Sequence, residues 1–355
     1  MERKIGSRQI LYILSLFLIA QIAGLLLTVL APSSSYVYIS ATSTPTAGSG
    51  LSYLLLLAIE LVIIVLVIML VRHYFTFKGD LFLKLLEIYI VIFGSFSLFF
   101  VLISDLFATI NTTFLSLISL LFAISVYAYK KKTNKLRNVV TLITCIGAGI
   151  IIGAVITQSY GFLILYLFFG FFAVYDYMAV FVLKFMIPFA KKAAEGNYPF
   201  MIGSSDLEFT PNKKKTVISE AELSKITNPK VKQLIKQGNV PIVSSIMLGN
   251  GDIILPLTLT VGSYVVYENI FLSMMIVTGS AVGLLFTIFL LRRYRIGLPA
   301  IPPLFTFISL ALVIVFLIAK PFEPLMVEIF ATASVLSFVA MIFTLTKIKR
   351  NTITA

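Results

Sequence analysis

Residues 160–188 read YGFLILYLFFGFFAVYDYMAVFVLKFMIP. Within that run the only acid is Asp176 and the only base is Lys184, close to its end. About 20 apolar residues cross a hydrocarbon core of about 30 Å at 1.5 Å per residue, so this stretch reads as a membrane span. Nine more runs of the same kind lie at 10–31, 51–71, 85–104, 110–129, 139–157, 241–266, 270–291, 299–319 and 325–346. The composition agrees: 59% of residues are hydrophobic, 12% are charged and the mean hydropathy is +1.03. A soluble domain has too little interior to hide so much apolar surface. The fold expected is an all-α polytopic membrane protein.

Several function classes fall away at once. One Cys (Cys145) and one His (His73) provide neither a disulfide framework nor a Cys/His metal cluster, and no H-E-x-x-H helix occurs. No metal or organic cofactor is expected. His73 lies in Arg72-His73-Tyr74 at a helix exit and reads as an interfacial flank. The net charge of +13 does not call for nucleic acid, because no soluble basic domain carries it. Membrane proteins gather Lys and Arg in cytoplasmic loops. The basic N-terminus before the first span suggests a signal peptide, but the run continues to Ala31 without a convincing cleavage site, so a retained helix is expected.

Charge along the loops gives orientation. The N-terminus, 72–84, 130–137, 189–240, 292–295 and the tail are rich in Lys and Arg, whereas 32–50, 105–109, 158–159 and 267–269 are nearly free of them. Lys320 is the exception. This alternation expects both termini and the 189–240 loop on the cytoplasmic side. Three regions follow: 1–188, a six-span bundle; 189–240, a hydrophilic loop; and 241–355, the remaining membrane helices. The loop carries the Lys213–Lys215 run, which as a rule is a solvated, membrane-facing surface, and Ser219-Glu220-Ala221-Glu222 opening a short helical pattern.

Ionisable groups inside a span cost about 2.5–3.5 kcal/mol on insertion scales and face protein or water. Glu60, Asp176 and Asp252 lie mid-span; Glu87, Lys184 and Glu328 lie near ends, where snorkelling accounts for them. Asp176 precedes Pro188 by twelve residues and Asp252 follows Pro241 by eleven. On antiparallel neighbouring helices both carboxylates fall about 16–18 Å from the inner boundary. Two carboxylates held together cannot both ionise, so one stays an acid beside one base. The base activates water and the acid protonates the carbonyl oxygen or the departing amide. Glu60 reads as a hydrogen-bonding group between helices or as an aid to water entry. Cys145 reads as packing beside Gly147 and Gly149.

The neighbourhoods of the two acids are unusual. Leu248-Gly249-Asn250-Gly251-Asp252 places two glycines before one acid, and Pro256 follows it. Glycine admits close backbone approach and proline removes a helical hydrogen bond, so this helix must line protein or water. Gly297-Leu298-Pro299-Ala300-Ile301-Pro302-Pro303 opens the ninth span, with exposed backbone suited to accepting or positioning a substrate strand.

Val174-Tyr175-Asp176, Leu-Gly-Asn-Gly-Asp ending at Asp252, and Pro299-Ala300-Ile301-Pro302 resemble the three motifs of the presenilin and signal-peptide-peptidase family: Tyr-Asp, Gly-x-Gly-Asp and Pro-Ala-Leu. The chain looks most similar to archaeal presenilin homologues, which implies an archaeal cell membrane. Orientation favours the presenilin branch; Asp252-Ile253-Ile254-Leu255-Pro256 looks more like the peptidase branch. Asn250 stands where presenilins have Leu, Ile301 replaces the motif Leu, and a tenth span follows the usual nine.

The resemblance implies a presenilin-like bundle of nine core helices plus a tenth. It implies Asp176 and Asp252 as the catalytic pair with Tyr175 beside them. Gly249, Asn250 and Gly251 would give clearance and substrate contact, and Pro299, Ala300, Ile301 and Pro302 would shape the site. Substrates would be single-span membrane proteins or signal-peptide remnants within the lipid bilayer. A substrate helix must unwind before cleavage, and strand addition by Thr216-Val217-Ile218 or by residues just before Val240 would hold the freed backbone. Two rivals remain open. An ion-coupled transporter also breaks helices around buried carboxylates, but normally in two repeated halves, and no such repeat occurs here. A prepilin- or preflagellin-type leader peptidase keeps the Gly-x-Gly-Asp acid with fewer spans.

Overall fold

A computed structural model describes residues 7–30, 81, 83–104, 111–132, 137–183, 198–211, 239–294, 298–321 and 323–353. The expected second span with Glu60, the 32–50 loop, Lys184, the Lys213–Lys215 run and Thr216–Ile218 lie outside them. The chain is an all-α polytopic membrane protein. Among the described residues eight helices are long and apolar enough to cross a membrane. With no water in a bilayer core, a spanning segment must satisfy its backbone groups internally, which the helix does.

The helices are α1 (Ser7–Leu30), α2 (Leu83–Ser104), α3 (Thr112–Lys132), α4 (Arg137–Tyr160) and α5 (Phe162–Tyr177), the last continued by one π turn at Met178–Val182. A strand pair, β1 (Met201–Pro211) and β2 (Asn239–Gly249), precedes α6 (Asn250–Tyr267), α7 (Ile270–Tyr294), α8 (Ile301–Ala319) and α9 (Pro324–Ile353). The expected tenth span is thus a helix of 30 residues. The chain divides into two compact units. One contains Met1–Ile13 and Gly203–Met247; the other contains Leu14–Ile202 and Leu248–Ala355, and with them nearly all of the helices.

The seventh span expected at 241–266 is corrected. Residues 239–249 form a strand, and the helix begins only at Asn250. Pro241-Ile-Val-Ser-Ser-Ile-Met-Leu248 is a short apolar run that periodicity cannot assign, and its β-branched Ile242, Val243 and Ile246 suit a pleated strand. Of the residues just before Val240 that were expected to supply a strand, only Asn239 is described, and it opens β2. The helix that remains, α6, is 18 residues long and is not one of the eight.

Helix α6 is nonetheless the centre of the membrane unit. Close approaches build this packing. A Cβ added at Gly149 or Gly24 would lie 2.6 Å or 2.5 Å from the Leu257 side chain, and one at Gly153 would meet the Thr258 carbonyl at 2.6 Å. Ser263 on α6 and Ser273 on α7 share a hydrogen bond of 2.8 Å. Reversals between helices are short. Gly161 alone separates α4 from α5, at φ 84°, a conformation open chiefly to glycine. Asn269 Oδ1 accepts the Phe271 and Leu272 N–H groups and so caps α7. At the other end α8 packs on α5 through Tyr166, whose hydroxyl lies 2.6 Å from that of Ser309. Helix α9 docks by burying Phe330 against Tyr166 and by the Thr306–Ser337 hydroxyl bond.

Snorkelling does not explain Glu87. It is buried on α2 and forms an ion pair with Lys130, itself buried near the end of α3. A carboxylate and an ammonium that meet across two helices neutralise one another, which removes the need to reach water.

Candidate active site

Asp176 is the next-to-last residue of α5, immediately ahead of the π turn, and is 7% exposed. Asp252 is the third residue of α6. Asp176 lies inside the candidate span Phe162–Val182, as the sequence argument expected, where regular helix gives way to the π turn; Asp252, expected deep in a span, instead sits in the first turn of α6. The two carboxyl groups still come near enough to interact electrostatically.

The Pro-rich segment ahead of α8 explains how Asp176 is held. The first N–H groups of a helix have no intrahelical acceptor, and proline is tolerated there because it needs none. Pro302 and Pro303 occupy the opening turn of α8, which leaves the N–H groups just before them available. Ile301 donates its N–H to Asp176 Oδ2 at 3.1 Å, and Ala300 donates to the same carboxyl group. The positive end of a helix thus faces a carboxylate. Pro299, Ala300 and Ile301 are buried and Pro302 is half-buried. The backbone that seemed free to bind a substrate strand is, at these two positions, already committed to Asp176.

Asp252 is held locally. Its Oδ2 accepts the Gly249 N–H at 3.1 Å, the carboxylate half of a capping box. Asn250 is buried and fastens the start of α6 to the segment leading into β1. Its side-chain Nδ2 donates to the Pro199 carbonyl at 2.9 Å and its own N–H donates to the Phe200 carbonyl. Gly251 is exposed, and a Cβ there would meet nothing within 4 Å. Tyr175 is half-buried next to Asp176. Cys145 is fully buried, as expected of a packing residue, and is within electrostatic reach of Asp252.

One participant had escaped notice. Gln21 on α1 is 0% exposed, and its Nε2 donates to the carbonyl of Ile253, the residue after Asp252, at 3.0 Å. A lone carboxamide in the middle of an otherwise apolar span was the signal for it. An apolar cavity of about 430 Å³ also lies near, between α5, α7, α8 and α9. Its α5 wall is Gly170, Ala173, Val174, Tyr177 and Phe181, a helical face from which Asp176 is turned away.

A bundle of membrane helices that carries two acids beside helix starts is compatible with one class, the intramembrane proteases of aspartyl type. The chain belongs to the signal-peptide peptidase, presenilin aspartyl protease family, whose model matches residues 14–320. Its activity class is accordingly intramembrane aspartyl proteolysis, and α9 begins just beyond the matched region. Comparison with curated protein sequences finds no match.

Proposed function

We propose that Asp176 and Asp252 are the catalytic acids of an endopeptidase that cleaves transmembrane helices or signal-peptide remnants. The observation that carries this reading is a pair of acids, each held by a backbone N–H at a helix boundary, within the span matched by the protease family. The ionised member removes a proton from water, whose oxygen attacks the scissile carbonyl carbon, while the protonated member donates its proton to the carbonyl oxygen. Collapse of the tetrahedral intermediate returns a proton to the amide nitrogen as the C–N bond breaks. No bound group is needed to balance this reaction.

Each neighbouring residue has a part. Pro299, Ala300, Ile301 and Pro302 hold Asp176 by two N–H groups, and Gly249 holds Asp252. Gly251 leaves room in front of the helix for a substrate backbone, and Tyr175 flanks the pair. Strand β2 runs by chain continuity into Asn250, which supports strand addition as the way an unwound substrate is held. The N-terminus and the 189–240 loop face the cytoplasm, with 1–188 and the helices from Asn250 onward as the two membrane portions around that loop. The family membership favours proteolysis over ion-coupled transport and leader-peptide removal.

The test is cleavage of a single-span substrate by purified protein in detergent or vesicles, with products identified by mass. Asp252→Asn abolishes product formation while the protein remains folded. Undiminished product from that variant refutes the assignment.

A further inference from the structure

Helix α6 has a weak point four residues beyond its acid. Pro256 has no N–H, so the Asp252 carbonyl lacks the donor that a regular helix would supply, and the ring crowds that same carbonyl. The opening turn, which carries Asp252, is therefore joined to the rest of α6 across a gap in its hydrogen-bond ladder. Such a joint permits bending unless something outside the helix spans it.

Gln21 spans it. Its carboxamide is wholly enclosed and touches α6 on both sides of the proline. Nε2 donates to the Ile253 carbonyl at 3.0 Å on the near side, and Oε1 accepts from Thr260 Oγ1 at 3.5 Å on the far side. The single Thr260 hydroxyl proton is shared between Gln21 Oε1 and the Pro256 carbonyl, the nearer acceptor at 3.0 Å. The neighbouring contact between Gly24 and Leu257, one helical turn along each helix, keeps α1 close enough for the amide to reach. A buried carboxamide in a membrane helix is costly unless its polar atoms find partners, and here those partners are the two flanks of a broken helix.

We infer that Gln21 is a positioning residue for the proteolytic reaction: it splints α6 across Pro256 and thereby fixes the Asp252 carboxyl group opposite Asp176. This rests on the proposed roles of the two aspartates. Gln21 touches no reacting atom. It acts through the backbone next to Asp252, so its loss lowers the rate of the chemical step more than the binding of substrate.

Gln21→Leu keeps the volume and apolar packing of the site and removes both polar contacts. The readouts are kcat and KM for a membrane-helix substrate, affinity for a hydroxyl-bearing transition-state mimic of aspartic proteases, and thermal unfolding in detergent. A misplacement of about 1 Å is enough to cost about 10²-fold in rate. The expected result is a kcat lower by about 10- to 100-fold, KM within about twofold, and a parallel weakening of the mimic, with the unfolding midpoint near that of the unaltered protein. An unchanged kcat in folded protein overturns the inference. Thr260→Val removes the far contact alone and decides the matter if Gln21→Leu does not fold: a smaller fall in kcat at constant KM supports the splint, and an unaltered kcat overturns it. Asp252→Asn is measured alongside. If that variant still cleaves, the aspartate assignment falls and the inference with it; if it is inactive while Gln21→Leu is fully active, the inference alone falls.

Discussion

Asp176 has two separable duties, and two substitutions tell them apart. Asp176→Asn removes the ionisable group but keeps a side-chain oxygen able to accept the Ile301 N–H, now 3.1 Å from Oδ2. Asp176→Ala removes the acceptor as well, leaving the Ile301 and Ala300 N–H groups unpaired at the buried start of α8. Both variants lack the carboxyl group, so the difference in their stabilities isolates the acceptor. A buried donor left without a partner costs about 1–3 kcal/mol, so the alanine variant is less stable than the asparagine variant by at least about that much. Both variants lose activity by at least about 10³-fold, because neither can exchange a proton with water. Stability is read from denaturant or thermal unfolding in detergent, and activity from mass-resolved cleavage of a single-span substrate. If the alanine variant is as stable as the asparagine variant, the Pro-rich segment does not hold Asp176 as described. If the asparagine variant still cleaves, Asp176 is not one of the acids.

Two further outcomes concern the scaffold. Removing one member of the buried Glu87–Lys130 pair costs about 3–5 kcal/mol, whereas replacing both together, as in Glu87→Leu with Lys130→Met, is nearly neutral; a double-mutant cycle on unfolding free energies shows whether the coupling exists. Gly147→Ala drives a Cβ to within 2.0 Å of the Gly94 carbonyl oxygen and 2.6 Å of the Leu98 nitrogen, backbone atoms that cannot rotate away. The expected loss is about 1–3 kcal/mol. Gly251→Ala serves as the control, since its Cβ meets open space. Equal stability losses at the two glycines would contradict the close packing of α2 on α4.

Much of this protein could be read from residue order alone. A run such as 160–188 must be a helix in hydrocarbon, because a lipid-exposed backbone has no other way to pair its polar groups. The acids Asp176 and Asp252 stood out for a related reason: few carboxylates are tolerated at such depth, and theirs had glycine and proline neighbours that weaken helices. What the order of residues could not resolve was the stretch from Asn239 to Gly249. Eleven mostly apolar residues suit a strand as well as a helix, and strand pairing with Met201–Pro211 decided between them. That choice moved Asp252 from the interior of a span to the first turn of α6.

Contacts between distant parts of the chain were equally out of reach. Gln21 meets Ile253 across 232 positions of sequence, and Asp176 meets the Ile301 N–H across 125. The types of these residues carried a hint, since each is a polar group or a helix start in an apolar setting. Their partners did not, because a hydrogen bond is fixed by where helices pack, and helix packing depends on the summed shapes of many side chains. Local chemistry therefore named the helices and the acids. Tertiary packing alone determined that the start of α8 donates to Asp176 and that Gln21 of α1 reaches the backbone beside Asp252.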